Sequence, residues 1–101
     1  MPAAYLIVES NISDPEKFKA YMAAAPAVAR EFAGEYLVRG GRMQVLEGDW
    51  QPPRLTVLRF PSYEQAKGFY DGQQYKQSRK LREGTTEYFN MVLVEGVAAP
   101  V

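Results

Sequence analysis

Neither cysteine nor histidine occurs in this chain of 101 residues. Without cysteine there is no disulfide framework, no thiolate nucleophile and no zinc-thiolate site. Without histidine the commonest general base, metal ligand and haem ligand is missing too. Charge of one sign is not in excess either: twelve Lys and Arg balance twelve Asp and Glu. That leaves no electrostatic case for a nucleic-acid or membrane partner. Long apolar runs are also lacking. Met1-Pro2-Ala3-Ala4 carries no basic region, and the apolar stretch behind it spans only a few residues, which argues against a signal peptide or a membrane-spanning helix. The acids Glu9, Asp14, Glu47, Asp49 and Glu95 show no ligand-like spacing beyond Glu47-x-Asp49, so neither a metal nor a cofactor is expected. A cytoplasmic protein is the default.

What is present is apolar and aromatic: 47% hydrophobic and 13% aromatic residues, enough for one core and one domain over residues 1–101. Ala4 to Ile12 is β-rich and reads as a strand. Asp14-Pro15-Glu16 opens a helix with an N-cap, a proline at the first helical position and an acid in the first turn. Phe18, Tyr21, Met22, Ala25, Val28, Ala29 and Phe32 follow on one helical face. Pro26 cannot donate to the Met22 carbonyl, which predicts a kink or break near Ala24 to Pro26. Glu35 to Glu47 holds two alternating runs around Gly40-Gly41, the pattern of a hairpin with Tyr36 opposite Val45 and Val38 opposite Met43. In that pairing Leu37 and Arg39 share the other face with Gln44 and Arg42. Arg54 to Phe60 is a further strand. Ser62 with Gln65 forms a capping box for a helix that ends at Asp71-Gly72. Tyr75, Ser78 and Leu81 mark a short surface helix, and Glu87 to Glu95 is the last strand.

This order predicts an α+β, ferredoxin-like split βαβ: an antiparallel sheet with two helices on one face. A sheet covered on one side should alternate apolar and polar. Here Leu55, Val57, Leu58 and Phe60, like Phe89, Met91, Val92, Leu93 and Val94, are apolar on both sides. The simplest cover for the open face is a second copy of the chain, so a homodimer is expected.

Asp14-Pro15 with Tyr21, the run Gly34 to Gly41, Glu47-Gly48-Asp49-Trp50 with Pro53-Arg54, Phe60-Pro61-Ser62, Ala66, Phe69-Tyr70, Tyr75, Arg82 and Glu95-Gly96 together resemble domain of unknown function family 1330, over residues 4 to 97. The resemblance implies a ferredoxin-like protomer paired through its sheet into a dimeric α+β barrel. The wider superfamily includes cofactorless monooxygenases, lactone isomerases and haem-dependent dismutases. The lack of histidine departs from relatives that bind haem or use a His-Asp pair.

The candidate site follows from residue types. Tyr21 and Tyr70 fall on the inner faces of the two helices, with Tyr75 just beyond. A pocket there, with Trp50 as a further aromatic wall and Arg39, Glu47 and Arg54 at its polar end, suits a small, partly apolar acid. Each residue also has a plainer reading. Arg39 and Arg42 can splay into water at a hairpin tip, Glu47 and Arg54 can form an ion pair fastening a loop, and Trp50 can plug that loop. Arg59, inside a strand, is expected to pair with Glu9 or Glu95. Glu47 is the weak candidate for a catalytic base. Two alternatives to a binding protein stand: a cofactorless monooxygenase- or isomerase-like enzyme, and a non-enzymatic structural dimer.

Overall fold

Alternation in the first strand, β1 (Ala4–Ile12), sets the layers: Ala4, Leu6, Val8 and Ser10 are buried, while Tyr5, Ile7 and Glu9 between them are only half-buried. In the computed structural model, which describes residues 2–98, β1 is a central strand. It pairs antiparallel with β3 (Leu55–Phe60) on one side and β4 (Thr86–Glu95) on the other. A shorter strand, β2 (Glu35–Arg39), pairs antiparallel with β3, giving the order β2-β3-β1-β4. This is the ferredoxin-like α+β arrangement expected from the element order.

The helices α1 (Pro15–Glu31), α2 (Tyr63–Asp71) and α3 (Gln73–Lys80) supply the second layer. The Asp14 carboxylate accepts from the Lys17 amide at 3.1 Å and the Ser62 hydroxyl accepts from the Gln65 amide at 3.1 Å, so both long helices begin at the predicted caps. Packed under the helices are Phe60, Phe69 and Tyr75, with centroids 5.1 Å apart for Phe60–Phe69 and 4.4 Å for Phe69–Tyr75. The turn from α1 into β2 is tight: a Cβ at Gly34 would lie 2.5 Å from the Phe60 ring, so the close approach of backbone to ring requires glycine.

Four expectations are corrected. The break considered for α1 does not occur, since the helix runs unbroken through Pro26. Pro26 has no amide to offer the Met22 carbonyl, and the Arg39 guanidinium takes that carbonyl instead, Nη2 to O 2.6 Å. The hairpin at Gly40-Gly41 does not form, so Tyr36 faces Leu58 and Val38 faces Val57. The Gly40 amide donates to the Leu55 carbonyl at 2.9 Å, so the ladder to β3 runs on through the position where a hairpin would turn back. Residues 40–54 are therefore a long connection with no strand of their own. Leu37 is the extra residue of a bulge between Tyr36 and Val38. It breaks the alternation, so Arg39, opposite Thr56, comes to the same face as Tyr36 rather than the opposite one. Finally, Arg59 pairs with Glu35 at 3.1 Å, not with Glu9 or Glu95.

The sheet face away from the helices carries one apolar row across all four strands, Val38–Val57–Ile7–Val92, flanked by Tyr5, Val94 and Leu55. Glu9 on that face accepts from Trp50 Nε1 and from the Tyr88 hydroxyl, each at 3.2 Å.

Candidate functional site

Between the helices and the sheet lies a cavity of about 30 Å³, room for one or two water molecules. Its walls are Val8, Leu58, Phe69, Phe89 and Met91, with Phe18 and Met22 from α1. Its polar groups fall at Tyr21, Tyr36, Tyr75, Ser10, Thr56, Arg39 and Arg54. Of the residues expected from the sequence, Tyr21, Arg39 and Arg54 are therefore brought together here.

The other three go elsewhere. Glu47 is exposed in the long connection and does not line the cavity. Trp50 is on the connection as well, bonded to Glu9 on the opposite face of the sheet. Tyr70 lines a separate groove with Tyr63, Lys67 and Leu93, and the Arg79 guanidinium lies over its ring at 4.3 Å. Arg42 is exposed and apart from the cavity.

Tyr36, Met22 and Phe89, which the sequence does not single out, also line the cavity, and so does Tyr75, which the sequence places just beyond Tyr70. Tyr75 was the most visible of these, because Gly72 starts a new helix whose phase is independent of the helix before it. Tyr75 and Ser78, three apart, are the buried residues of that helix.

At the inner end of the cavity the hydroxyls of Tyr21 and Tyr75 are 2.5 Å apart. Burial first, and then the neighbouring Tyr75 hydroxyl, hold the Tyr21 phenol well above the usual phenol range, against the opposing pull of Arg82. Tyr36 is raised too, mainly by burial, with Arg39 and Arg54 pulling the other way. These phenols stay neutral near neutral pH and act as hydrogen-bonding groups rather than bases. Arg82 lies over the rings of Phe89, at 3.7 Å, and Tyr21, at 5.4 Å. Its Nε is buried with no hydrogen-bond partner among the described residues.

The other end of the cavity is basic. Arg39 reaches across from β2 to the Met22 carbonyl, its guanidinium 4.8 Å above the Tyr36 ring. Arg54 comes from the residue before β3, where its carbonyl accepts from the Ser10 amide at 3.1 Å. Its guanidinium lies against Gly40, which has φ +68° and where any Cβ would collide with it. Ion pairs among the described residues join Lys19 to Glu16, Arg59 to Glu35 and Lys67 to Asp71. Neither Arg39 nor Arg54 has a carboxylate partner among them, and the expected Glu47–Arg54 pair is not formed. No group of three or more potential metal ligands occurs among the described residues, and no helix there is long and apolar enough to cross a membrane.

The fold has several solved counterparts. A protein of unknown function from Rhodopseudomonas palustris superposes with a TM-score of 0.76 at 14% identity, covering 97% of this chain and 85% of that one. A dimeric ferredoxin-like protein of unknown function from Jannaschia sp. CCS1 gives a TM-score of 0.72 at 13% identity over 93% and 99% of the two chains. A Nitrosomonas europaea protein with the provisional name antibiotic biosynthesis monooxygenase gives 0.57 at 15% identity over 95% and 91%. At these identities the likeness speaks for the fold alone. No curated protein matches the sequence. The model of one family, the domain of unknown function DUF1330, matches residues 3–97, and the chain belongs to that family.

Proposed function

We propose that this chain acts as a homodimer that binds a small, partly apolar acid in the cavity between sheet and helices. The observation that carries the binding reading is the pair of guanidinium groups, Arg39 and Arg54, without carboxylate partners at the mouth of an apolar cavity. A guanidinium held only by a neutral carbonyl gains from exchanging it for a carboxylate, since charge-assisted bonds are roughly twice as strong as neutral ones. Arg39 lines the cavity with its guanidinium on the Met22 carbonyl. An entering acid takes that guanidinium and displaces the pliable Met22 and Met91 side chains, enlarging the cavity. The dimer reading is supported by the bare apolar row on the open face and by dimeric proteins of the same fold.

Binding is favoured over catalysis by the lining itself. It contains no carboxylate, and the chain has no histidine or cysteine to serve as a base there. Glu47, the acid considered for that role, is exposed on the connection.

A thermal-shift series with small carboxylates tests the reading. At about ten times its Kd a true ligand stabilises by about 1.4 kcal/mol, a rise of roughly 5–10 °C for a domain of this size. The rise should be absent in Arg39→Ala and Arg54→Ala, whose unliganded midpoints stay near that of the parent. Equal shifts in the parent and both variants, or no shift across the series, would overturn it.

A further inference from the structure

Two phenols bonded to each other have two protons, and their single mutual bond uses one. The hydroxyls of Tyr21 and Tyr75 are 2.5 Å apart, and no other acceptor for either lies among the described residues. Both residues are nine-tenths buried or more, at 8% and 1% exposure, and both line the cavity. One O–H is therefore left over at the inner end, whichever phenol donates to the other. Beside the pair, the buried Arg82 Nε–H is likewise without an acceptor. Arg82 does not line the cavity, so the spare phenol O–H is the donor left there, with Val8, Phe69 and Met91 among the walls. A buried donor left unsatisfied costs about 1–3 kcal/mol, so a ligand that seals off this hydroxyl must supply an acceptor for it.

We infer that the acid this cavity recognises carries a second oxygen, a carbonyl remote from its carboxylate, which accepts from the Tyr21–Tyr75 pair while the guanidinium groups hold the acid end. This rests on the acid-binding reading above and adds the ligand's class, an oxo acid. The two ends of the site make different demands. The arginines require a negative charge and are indifferent to the far end. The phenol pair penalises a hydrocarbon end, since a site built to hydrogen-bond discriminates strongly against an analogue lacking the partner atom.

Matched pairs of acids, differing by an oxygen where the analogue has a methyl group, make the test. Levulinate and isocaproate form one pair, acetoacetate and isovalerate a shorter one. Affinities are read by chemical-shift titration of the parent protein, Arg39→Ala, and the double variant Tyr21→Phe with Tyr75→Phe. Either single phenylalanine variant keeps one free hydroxyl and so retains a donor. Removing both partners of a buried hydrogen bond for groups of the same shape is close to neutral for stability, so the double variant should fold. The expected result is that the parent prefers the oxo acid in at least one pair by about tenfold, that the preference disappears in the double variant, and that Arg39→Ala weakens both members alike. Equal affinity for both members of each pair in the parent, or a preference that persists in the double variant, would overturn the oxo-acid inference and leave acid binding standing. No binding of any of the four acids by the parent would overturn both.

Discussion

Tyr21 shows how one side chain can link burial to pH. Its phenol sits among Phe18, Phe89 and Tyr75, with centroid separations of 5.3, 6.0 and 6.3 Å. Burial raises its proton affinity in the folded state above that of an ordinary phenol near 10.0. The sign follows from linkage. Above pH 10 the unfolded chain releases the Tyr21 proton while the folded chain keeps it, so the folded state binds more protons and stability falls as pH rises. Below pH 10 both states hold the proton, and the contribution of this group is fully present and flat. Denaturant unfolding followed across pH 8 to 11.5 should thus show a stability loss beginning near 10, shallower in Tyr21→Phe. Absorbance titration of the folded protein should leave at least one of its seven tyrosines un-ionised until the chain unfolds. A full phenolate count at the ordinary phenol range, with the fold intact, would contradict the burial of this hydroxyl.

At the scale of elements, two irregularities aim Arg39, and one of them was half-legible. Pro26 announces in the sequence that the Met22 carbonyl will lack its helical donor, but not which group replaces it. The bulge at Leu37 brings the arginine to the helix side of the sheet and the freed carbonyl receives it at 2.6 Å. Pro26→Ala restores an amide that competes for the same carbonyl. The helix should gain about 1–2 kcal/mol, less than the full cost of an interior proline because the unfolded chain also becomes freer. The Arg39 guanidinium should lose its seat, seen as faster hydrogen exchange of its side-chain protons. Unchanged exchange would mean the proline has no part in placing Arg39. Caps and the two-sided apolar strands are readable because each rests on local spacing: Asp14 and Ser62 cap as their sequence contexts require, and Leu55–Phe60 and Thr86–Glu95 are strands. Gly40-Gly41 has local turn chemistry and so suggests a hairpin, whereas the partner of β2 is decided by a strand beginning at Leu55, beyond any local window. The same blindness put Arg39 on the wrong face, since a bulge has no fixed sequence signature when the extra residue is leucine. Trp50, Glu47 and Tyr70 were grouped with the arginines by composition, and only tertiary placement separates them.

On the scale of the whole molecule, the described residues form a single sheet with a single layer of helices, and the apolar row on its other side has no helix over it. The chain measures 40 × 38 × 17 Å along its principal axes. Val92 is 59% exposed, and it ends a row that continues through Ile7 and Val57 to Val38. Met43, Val45 and Leu46 are exposed on the long connection, Leu46 at 83%. A second copy turning the same face inward would bury all four row positions twice over, in the self-complementary manner of a two-fold interface. A negative charge within such a contact must be desolvated without a partner, whereas on an isolated chain Val92 already faces water and its replacement costs the protomer little. Val92→Glu therefore separates the two cases. The parent should sediment at about twice 11.4 kDa at micromolar concentration, and Val92→Glu near the single-chain mass with its helical and strand content unchanged. Glu9 lies on the same face, held by Trp50 and Tyr88, so its charge is already accommodated and Glu9→Gln should leave the mass of the parent as it is. A parent that runs at 11.4 kDa, or a Val92→Glu variant that keeps the doubled mass, would show that something other than a second copy covers this face.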